Sequence, residues 1–336
     1  MIAGAGPELA EAHEPAELRG QGRGDVRLLV AHRDGFIARA RFAELPELLA
    51  PGDVLTINTS ATLPAAIPVR GADLRLHLSS PAPDRGDGLW LVELRRGAER
   101  FNGGAEGDVL LLPGGGTAVL LERDPGGRLW LASLRLSAAV PHYLARHGEP
   151  IRYRHASEEW PLERYQTVYA NAPGSAEMPS AGRAFTPELV TQLVAAGIDV
   201  APFVLHTGVS SLEAGETPHP EWFQVPRHTA ARINAARELG GRVIAVGTTA
   251  VRALESAAGA DGRVREHEGW TDLVIGPDTP IRAIDGLLSG FHDRDSSHLA
   301  MLEAIAGADL LERSYEEAAA AGYLRHEFGD LHLILP

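Results

Sequence analysis

A turn of small residues, Gly247-Thr248-Thr249, is the segment of this chain best suited to ligand binding. It follows an apolar run at 243–246 that predicts a buried strand, and it opens a capped helix that continues to Ser256. Ligands of α/β sheets gather at the carboxyl ends of strands, and the amides at a helix N-terminus suit a carboxylate or phosphate. The pattern therefore predicts the ligand-facing turn of an α/β enzyme.

Arg252 follows this turn, and we place it in the first turn of the predicted helix. A cation there opposes the helix dipole, so its presence needs a reason. A bound anion is one reason, and an ion pair with Glu255, three residues further on, is the other. The sequence leaves both interpretations open.

A second segment brings two phenols and an amide close together. It contributes Tyr165, Gln166, Thr167 and Tyr169. Aromatic rings at a domain junction can stack a nucleic-acid base. The alternative, which the residues alone favour, is that both tyrosines are half-buried packing residues.

Further candidate residues lie on loops beside predicted strand and helix ends. Ser180 and Gly182 belong to a small loop before Phe185, and such a loop lets a ligand approach the backbone closely. The remaining loop candidates are His206, Gly208, His219, Glu221, Phe291 and His292. No ligand spacing such as H-E-x-x-H accompanies these histidines, so no metal site is predicted.

The composition of the 336 residues excludes several kinds of chemistry. The absence of cysteine excludes disulfides, thiolate zinc sites and cysteine nucleophiles, and the absence of lysine excludes Schiff bases and the P-loop lysine. A net charge of −14 argues against non-specific nucleic-acid binding, although a local arginine patch can still bind RNA. Arginines cluster at Arg19, Arg23, Arg27, Arg33, Arg39 and Arg41, and again at Arg146, Arg152, Arg154 and Arg164.

The order of apolar runs predicts an α/β main domain with an inserted small antiparallel β-barrel domain. Short alternating runs separated by Gly, Asp and Pro turns place the barrel at 68–147, and the main domain is then discontinuous, 1–67 plus 148–336. Strands are predicted at 27–31, 54–57, 200–205, 243–246 and 331–335, and helices after Thr186, at 227–239, after Ser296 or Ser297, and at 310–321. No apolar run approaches the roughly 20 residues of a membrane span, and we predict a cytoplasmic protein with no membrane partner.

In order and spacing, these segments resemble the S-adenosylmethionine:tRNA ribosyltransferase-isomerases of queuosine biosynthesis. The resemblance runs from about Asp25 to the C-terminus and is strongest at Gly52–Leu55 (GDVL), at 164–169 (RYQTVY) and at 242–256 (RVIAVGTTAVRALES). A weaker match, Phe328-Gly329-Asp330, adds Asp330 to the candidate substrate-binding residues.

The resemblance implies a fold, two substrates and a reaction. The implied fold is an α/β domain with an inserted β-barrel. S-adenosylmethionine is the implied substrate, with no prosthetic group, and tRNA is the implied acceptor. The ribosyl part moves onto 7-aminomethyl-7-deazaguanine in the tRNA and isomerises to epoxyqueuosine, while adenine and methionine leave. A base must remove a proton beside the sulfonium, and the substrate's own amine can serve, so no catalytic residue is assigned. A monomer or weak dimer is expected.

Departures from the family's patterns indicate an altered substrate site. At 58–66, NTSATLPAA replaces a family segment that carries two arginines, and Ala184 replaces a histidine. The family's closing F-F-S-Y-G-D is here Arg325–Asp330 (RHEFGD). Two alternatives therefore stay open: an enzyme that uses S-adenosylmethionine or another nucleoside on a different acceptor, and a non-catalytic nucleotide- or RNA-binding relative.

Overall fold

A computed structural model describes residues 8–152, 155–156, 158–209, 219–293 and 296–336. Within these ranges the chain forms two large β-sheets, two small ones and seven α-helices.

Strands predominate in the first half of the chain, and most of the α-helices lie in the second half. The strands are β1 (Ala10–Glu11), β2 (Arg27–His32), β3 (Ile37–Arg41), β4 (Val54–Asn58), β5 (Ser60–Thr62), β6 (Ala66–Pro68), β7 (Arg75–Pro81), β8 (Leu89–Arg96), β9 (Glu99–Arg100), β10 (Val109–Leu111), β11 (Thr117–Arg123), β12 (Trp130–Arg135), β13 (Ala172–Ser175), β14 (Asp199–Leu205), β15 (Glu221–Val225), β16 (Val243–Val246), β17 (His267–Thr271), β18 (Gly286–Gly290), β19 (Leu324–Arg325) and β20 (Leu331–Leu335). The α-helices are α1 (Leu45–Leu48), α2 (Val140–His147), α3 (Pro187–Ala195), α4 (Arg227–Glu238), α5 (Thr248–Ala257), α6 (Ser297–Ala306) and α7 (Ala308–Ala320).

The larger sheet has nine strands in the order β17-β15-β14-β4-β16-β18-β20-β2-β3. Its centre, β14-β4-β16-β18, is parallel, whereas β20 pairs antiparallel with β18 and the two outer edges are also antiparallel. Every residue of β4, β16, β18 and β20 is buried, because apolar layers cover both faces of the sheet. The predicted mixed α/β character is confirmed.

The second large sheet is antiparallel and curled. Its order is β10-β11-β12-β8-β7-β6, with β9 added to β8. The two ends of the sheet approach each other, since the Arg70 amide, just after β6, donates to Leu111 O in β10 at 2.8 Å. Its apolar side packs on α2 through Tyr143 and Leu144. The antiparallel strands predicted for 68–147 are therefore present. Among the described strands, the first and last strands of this sheet are not paired with each other. The division into two domains stays a prediction.

Capping residues fix two of the predicted helix starts. The Thr186 hydroxyl accepts a hydrogen bond from Leu189 N at 3.1 Å, with Pro187 as the first residue of α3. The Ser296 hydroxyl accepts from Leu299 N at 3.2 Å and begins α6. Both predictions are confirmed. None of the described helices has the length and apolarity needed to cross a bilayer.

Candidate functional site

The turn between β16 and α5 leaves a helix start without a side-chain cap. Gly247 is the N-cap of α5, with φ 86° and ψ 157°, in a region that favours glycine. The helix predicted as capped here has glycine at its N-cap, so no side chain caps it. The first amides of α5 therefore point their partial positive charge at whatever lies in front of the turn.

A cavity of about 150 Å³ lies in front of this turn and opens to solvent. Three parallel strands bring their carboxyl ends to it: β14 is followed by Thr207 and Gly208, β16 by Gly247, and β18 ends in Ser289 and Gly290. This edge of the sheet is where α/β proteins bind ligands.

Half of the eighteen predicted binding residues line this cavity. They are Ser180, Gly208, His219, Glu221, Gly247, Thr248, Thr249, Arg252 and His292. The lining also contains residues that were not predicted from the sequence, among them Ser79, Ser80, Ser289, His298 and Glu327. Ser289 could have been predicted from the sequence because it ends an apolar run. The serines of β7 and Glu327 reach the cavity only through tertiary packing.

Arg252 is held by protein groups at the wall of the cavity. Its guanidinium forms an ion pair with Glu221, and its Nε and Nη2 donate to Leu273 O and Thr271 O, each at 3.1 Å. Glu221 Oε1 also accepts from Gly208 N at 2.9 Å. Burial raises the pKa of Glu221, and the charge of Arg252 opposes this effect. The pair thus fixes the loop after β14 against α5.

Both sequence-based explanations of Arg252 need correction. It is the fifth residue of α5, so it lies in the second helical turn and not in the first, where the dipole argument applies. Its expected partner, Glu255, instead accepts backbone N–H groups of Arg282 and Ala283 at 2.8–3.1 Å. The partner of Arg252 is Glu221, which is 31 residues away and out of reach of any helical spacing rule.

Two neutral histidines face the same cavity. The rings of His292 and His298 have centroids 4.9 Å apart, and His292 Nε2 shares a hydrogen bond with Ser289 Oγ at 2.8 Å. Burial lowers the pKa of His292 well below its usual value and also lowers that of His298. Each imidazole is therefore neutral at pH 7.

His219 connects the cavity rim to the curled sheet. Its Nε2 lies 3.7 Å from Asp124 Oδ2, in the turn between β11 and β12. Ser79 and Ser80 at the end of β7 also reach the lining. The cavity is thus built from both large sheets.

A family model described as "Queuosine biosynthesis protein" matches residues 6–334. The chain belongs to this family.

Several relatives agree with the match over nearly the whole chain. A protein of Symbiobacterium thermophilum named S-adenosylmethionine:tRNA ribosyltransferase-isomerase is 39% identical, covering 98% of this chain and 97% of that protein. A protein of the same name from Desulfitobacterium hafniense is 36% identical, covering 98% and 97%. The crystal structure of S-adenosylmethionine tRNA ribosyltransferase from Thermotoga maritima has a TM-score of 0.56 at 30% identity, covering 98% of this chain and 99% of that one.

The other nine predicted binding residues of this family member lie outside the cavity lining. They are Tyr165, Gln166, Thr167, Tyr169, Gly182, Phe185, His206, Phe291 and Asp330. Their contacts are with other parts of the protein, and their role in substrate binding stays a prediction.

The Tyr-Gln-Thr-Val-Tyr segment forms hydrogen bonds to β5 and packs against other side chains of the protein. Gln166 Nε2 donates to Thr62 O at 2.7 Å, and Gln166 Oε1 accepts from Thr62 N at 3.0 Å, so the amide ties the segment to β5. The Tyr165 ring packs on Phe328 at 5.7 Å, and burial raises the pKa of its phenol to about 12. These contacts match the packing alternative.

The close approach of the Tyr169 side chain explains why residue 182 is a glycine. A Cβ at this position would lie 2.1 Å from the Tyr169 hydroxyl and 3.1 Å from Thr167 Cγ2. Tyr169 in turn packs edge-on against Phe185 at 5.7 Å. The glycine therefore makes room for a side chain of the protein.

His206, Phe291 and Asp330 hold strand ends in place. His206 Nδ1 shares a hydrogen bond with Ser60 Oγ at 2.8 Å, and burial lowers its pKa to about 4. Phe291 stacks on His332 at 5.4 Å. Asp330 accepts from the backbone and guanidinium of Arg27 at 2.6–3.1 Å.

Three arginines converge beside the cavity. Glu17 pairs with Arg23, Arg164 and Arg183 at 3.4, 3.2 and 2.8 Å. Burial alone would raise the pKa of Glu17, but hydrogen bonds from Arg183 bring it down to about 2. Arg23 and Arg183 line a smaller cavity that shares Ser180, Gly290 and Glu327 with the main one. Three cations thus surround one carboxylate, with Arg183 buried and Arg164 the most exposed of the three.

Proposed function

We propose that this chain is an S-adenosylmethionine:tRNA ribosyltransferase-isomerase. It transfers the ribosyl part of S-adenosylmethionine to 7-aminomethyl-7-deazaguanine in tRNA and isomerises it to epoxyqueuosine, releasing adenine and methionine. The observation that carries the proposal is the family match over residues 6–334, in a chain whose Gly247-Thr248-Thr249 turn faces a cavity at the carboxyl ends of the parallel strands.

The lining suits the parts of S-adenosylmethionine. The uncapped start of α5 offers amides to a carboxylate such as that of the methionine part. Met178, Leu273, Ile275 and Met301 give the same cavity an apolar wall against which an adenine ring can lie. S-adenosylmethionine is a substrate in this proposal, and the chain needs no prosthetic group.

The neutral histidines supply an acceptor for the first proton. The sulfonium acidifies the adjacent ribosyl carbon, whose C–H bond breaks and leaves its electron pair on that carbon. His292 and His298 both line the cavity, so a ring nitrogen of either can take the proton, but burial lowers both pKa values and so weakens both bases. The incoming amine of the substrate is the competing base. Gln in place of each histidine tests this, because loss of a base lowers kcat more than it raises KM.

The arginine cluster gives the acceptor tRNA a contact surface. The whole chain carries a charge of −14, so an extended phosphate backbone can approach only where the local charge is positive. Arg23 and Arg164 are partly exposed beside the cavity and offer such a place, whereas Arg183 is buried. A tRNA bound there would bring its wobble base toward Ser180 and Gly290.

The deciding experiment measures adenine release. Purified protein is incubated with S-adenosylmethionine and tRNA carrying 7-aminomethyl-7-deazaguanine, with tRNA carrying unmodified guanine as the control. Adenine and epoxyqueuosine should form only with the modified tRNA. Adenine release with another acceptor would favour a divergent enzyme, and calorimetric binding without turnover would favour a non-catalytic relative. Either result would overturn the proposal.

The domain division, location and assembly belong to the same proposal. We infer a main domain of 1–67 plus 148–336 with an insertion at 68–147, in a cytoplasmic monomer or weak dimer. The exclusive antiparallel pairing of strands between Ala66 and Arg135 supports the division. We expect limited proteolysis to release a stable fragment near these bounds. We also expect a mass of 35.8 kDa in solution.

A further inference from the structure

Two histidines and a glutamate meet at one edge of the cavity. The side chains of His155, His326 and Glu327 offer ligand atoms that all lie within 4.8 Å of one another. The two imidazoles stack with centroids 4.2 Å apart and 12° between their planes. All three side chains are largely buried, with exposures of 10%, 16% and 24%. The group is therefore compact and sheltered.

The chemistry of this group suits a borderline transition-metal ion. Zn²⁺ prefers imidazole nitrogen and carboxylate oxygen in a four-coordinate arrangement. His155 Nε2 is 2.7 Å from Glu327 Oε2, and His326 Nε2 is 3.3 Å from Glu11 Oε1, so the carboxylates already lie beside the nitrogens.

The ligands come from two separated parts of the chain. His326 and Glu327 follow β19 directly, and β19 pairs in parallel with β1. His155 lies far away in sequence, between α2 and β13. No spacing rule could have joined them, which is why the sequence predicted no metal.

We propose that His155, His326 and Glu327 bind a divalent transition-metal ion of the Zn²⁺ type, with water in the fourth position. The ion ties His155 to the loop after β19. Because Glu327 lines the main cavity, the ion would also fix one wall of that cavity. The proposal does not depend on the proposed reaction.

Calorimetric titration with ZnCl₂ tests the site on the full-length protein after treatment with a chelator. The wild type should bind one Zn²⁺ with saturation, and His326→Ala and Glu327→Gln should each bind at least about tenfold more weakly, since even the loss of a supporting contact costs that much. Titration with CoCl₂ should give the strong visible absorption of four-coordinate Co²⁺ in the wild type but not in His326→Ala or Glu327→Gln. Circular dichroism establishes that each variant is folded.

His228→Ala is the matched control, because His228 is an exposed histidine on α4. It should bind Zn²⁺ and Co²⁺ as the wild type does. Absence of saturable one-to-one binding to the wild type would overturn the proposal. Equal affinity in folded Glu327→Gln, His326→Ala and His228→Ala would overturn it as well, since the metal would then sit elsewhere.

Discussion

The guanidinium of Arg252 shows how one side chain can serve both fold and site. It lies in the cavity wall with an exposure of 8%, yet its nitrogens are engaged by Glu221 and by two backbone carbonyls. Its main effect on a ligand is therefore to hold the loop after β14, with Gly208, in place. Removing only one partner of such a buried ion pair lowers the stability strongly, because the other charge stays buried without its partner.

Arg252→Ala is expected to lower the free energy of unfolding by about 3 kcal/mol, because it leaves the Glu221 carboxylate buried without its cation. Adding Glu221→Gln should recover part of the loss. Urea unfolding of the two single variants and the double variant measures the coupling. Arg263→Ala is the control, since its pair with Glu238 is exposed and should be worth less than about 1 kcal/mol. Equal losses for Arg252→Ala and Arg263→Ala would contradict the assignment.

Gly182→Ala should destabilise the protein by about 1–3 kcal/mol, because the added methyl would lie 2.1 Å from the Tyr169 hydroxyl. Tyr169→Phe removes that oxygen and should restore part of the stability of Gly182→Ala. Thermal unfolding followed by circular dichroism measures both effects. Gly276→Ala provides the comparison, as a Cβ there meets no atom within 4 Å. An unchanged melting temperature in Gly182→Ala would show that the glycine is not needed for packing.

The short strands around the cavity are held by side chains that replace backbone pairing. Where β4 ends, Asn58 donates to Leu205 O at 2.9 Å and accepts from Leu205 N at 3.0 Å, continuing the ladder to β14. Gln166 does the same for Thr62 in β5. Such amides satisfy buried backbone groups at the points where strands diverge to open a cavity.

Gln166→Ala should therefore cost about 1–3 kcal/mol of stability, since it leaves the N–H and C=O of Thr62 without their partner. The affinity for S-adenosylmethionine should stay unchanged, because Gln166 lies outside the cavity lining. Chemical unfolding and calorimetric titration with S-adenosylmethionine give the two quantities. A large loss of affinity with unchanged stability would instead support the substrate-binding role predicted from the sequence.

Across the whole molecule, several buried histidines stay neutral. Burial lowers the pKa of His77 and His332 to about 3 and that of His206 to about 4, and it also lowers those of His292 and His298. In the unfolded chain each regains a pKa near 6.5. Below that pH the unfolded chain binds more protons than the folded one, so stability falls as the pH falls from 6.5 toward 4.

His332→Leu should reduce the slope of the free energy of unfolding against pH by about 1.4 kcal/mol per pH unit between pH 6.5 and 5. This is the contribution of one histidine that stays neutral in the folded protein and becomes protonated in the unfolded chain. His332 is fully buried, and neither ring nitrogen has a hydrogen-bond partner among the described residues. Urea unfolding at several pH values measures the slope. His228→Leu, on an exposed face of α4, should leave the slope as in the wild type. A His332→Leu slope equal to that of the wild type would contradict the neutral buried state.

The sequence by itself determined the local elements and the position of the turn. Apolar periodicity and capping residues fixed α3, α6 and the central strands, because these signals act between residues a few positions apart. The Gly247-Thr248-Thr249 turn was found in the same way, as a strand end followed by a helix.

Tertiary structure alone decided which polar side chains share the cavity. The sequence predicted Gly182 and Gln166 as binding residues. In the structure, close packing explains Gly182, and a hydrogen bond to the Thr62 backbone explains Gln166. Arg252 and Glu221 meet only because α5 packs beside β15. Such contacts depend on how the sheet brings distant segments together, and no local pattern encodes that choice.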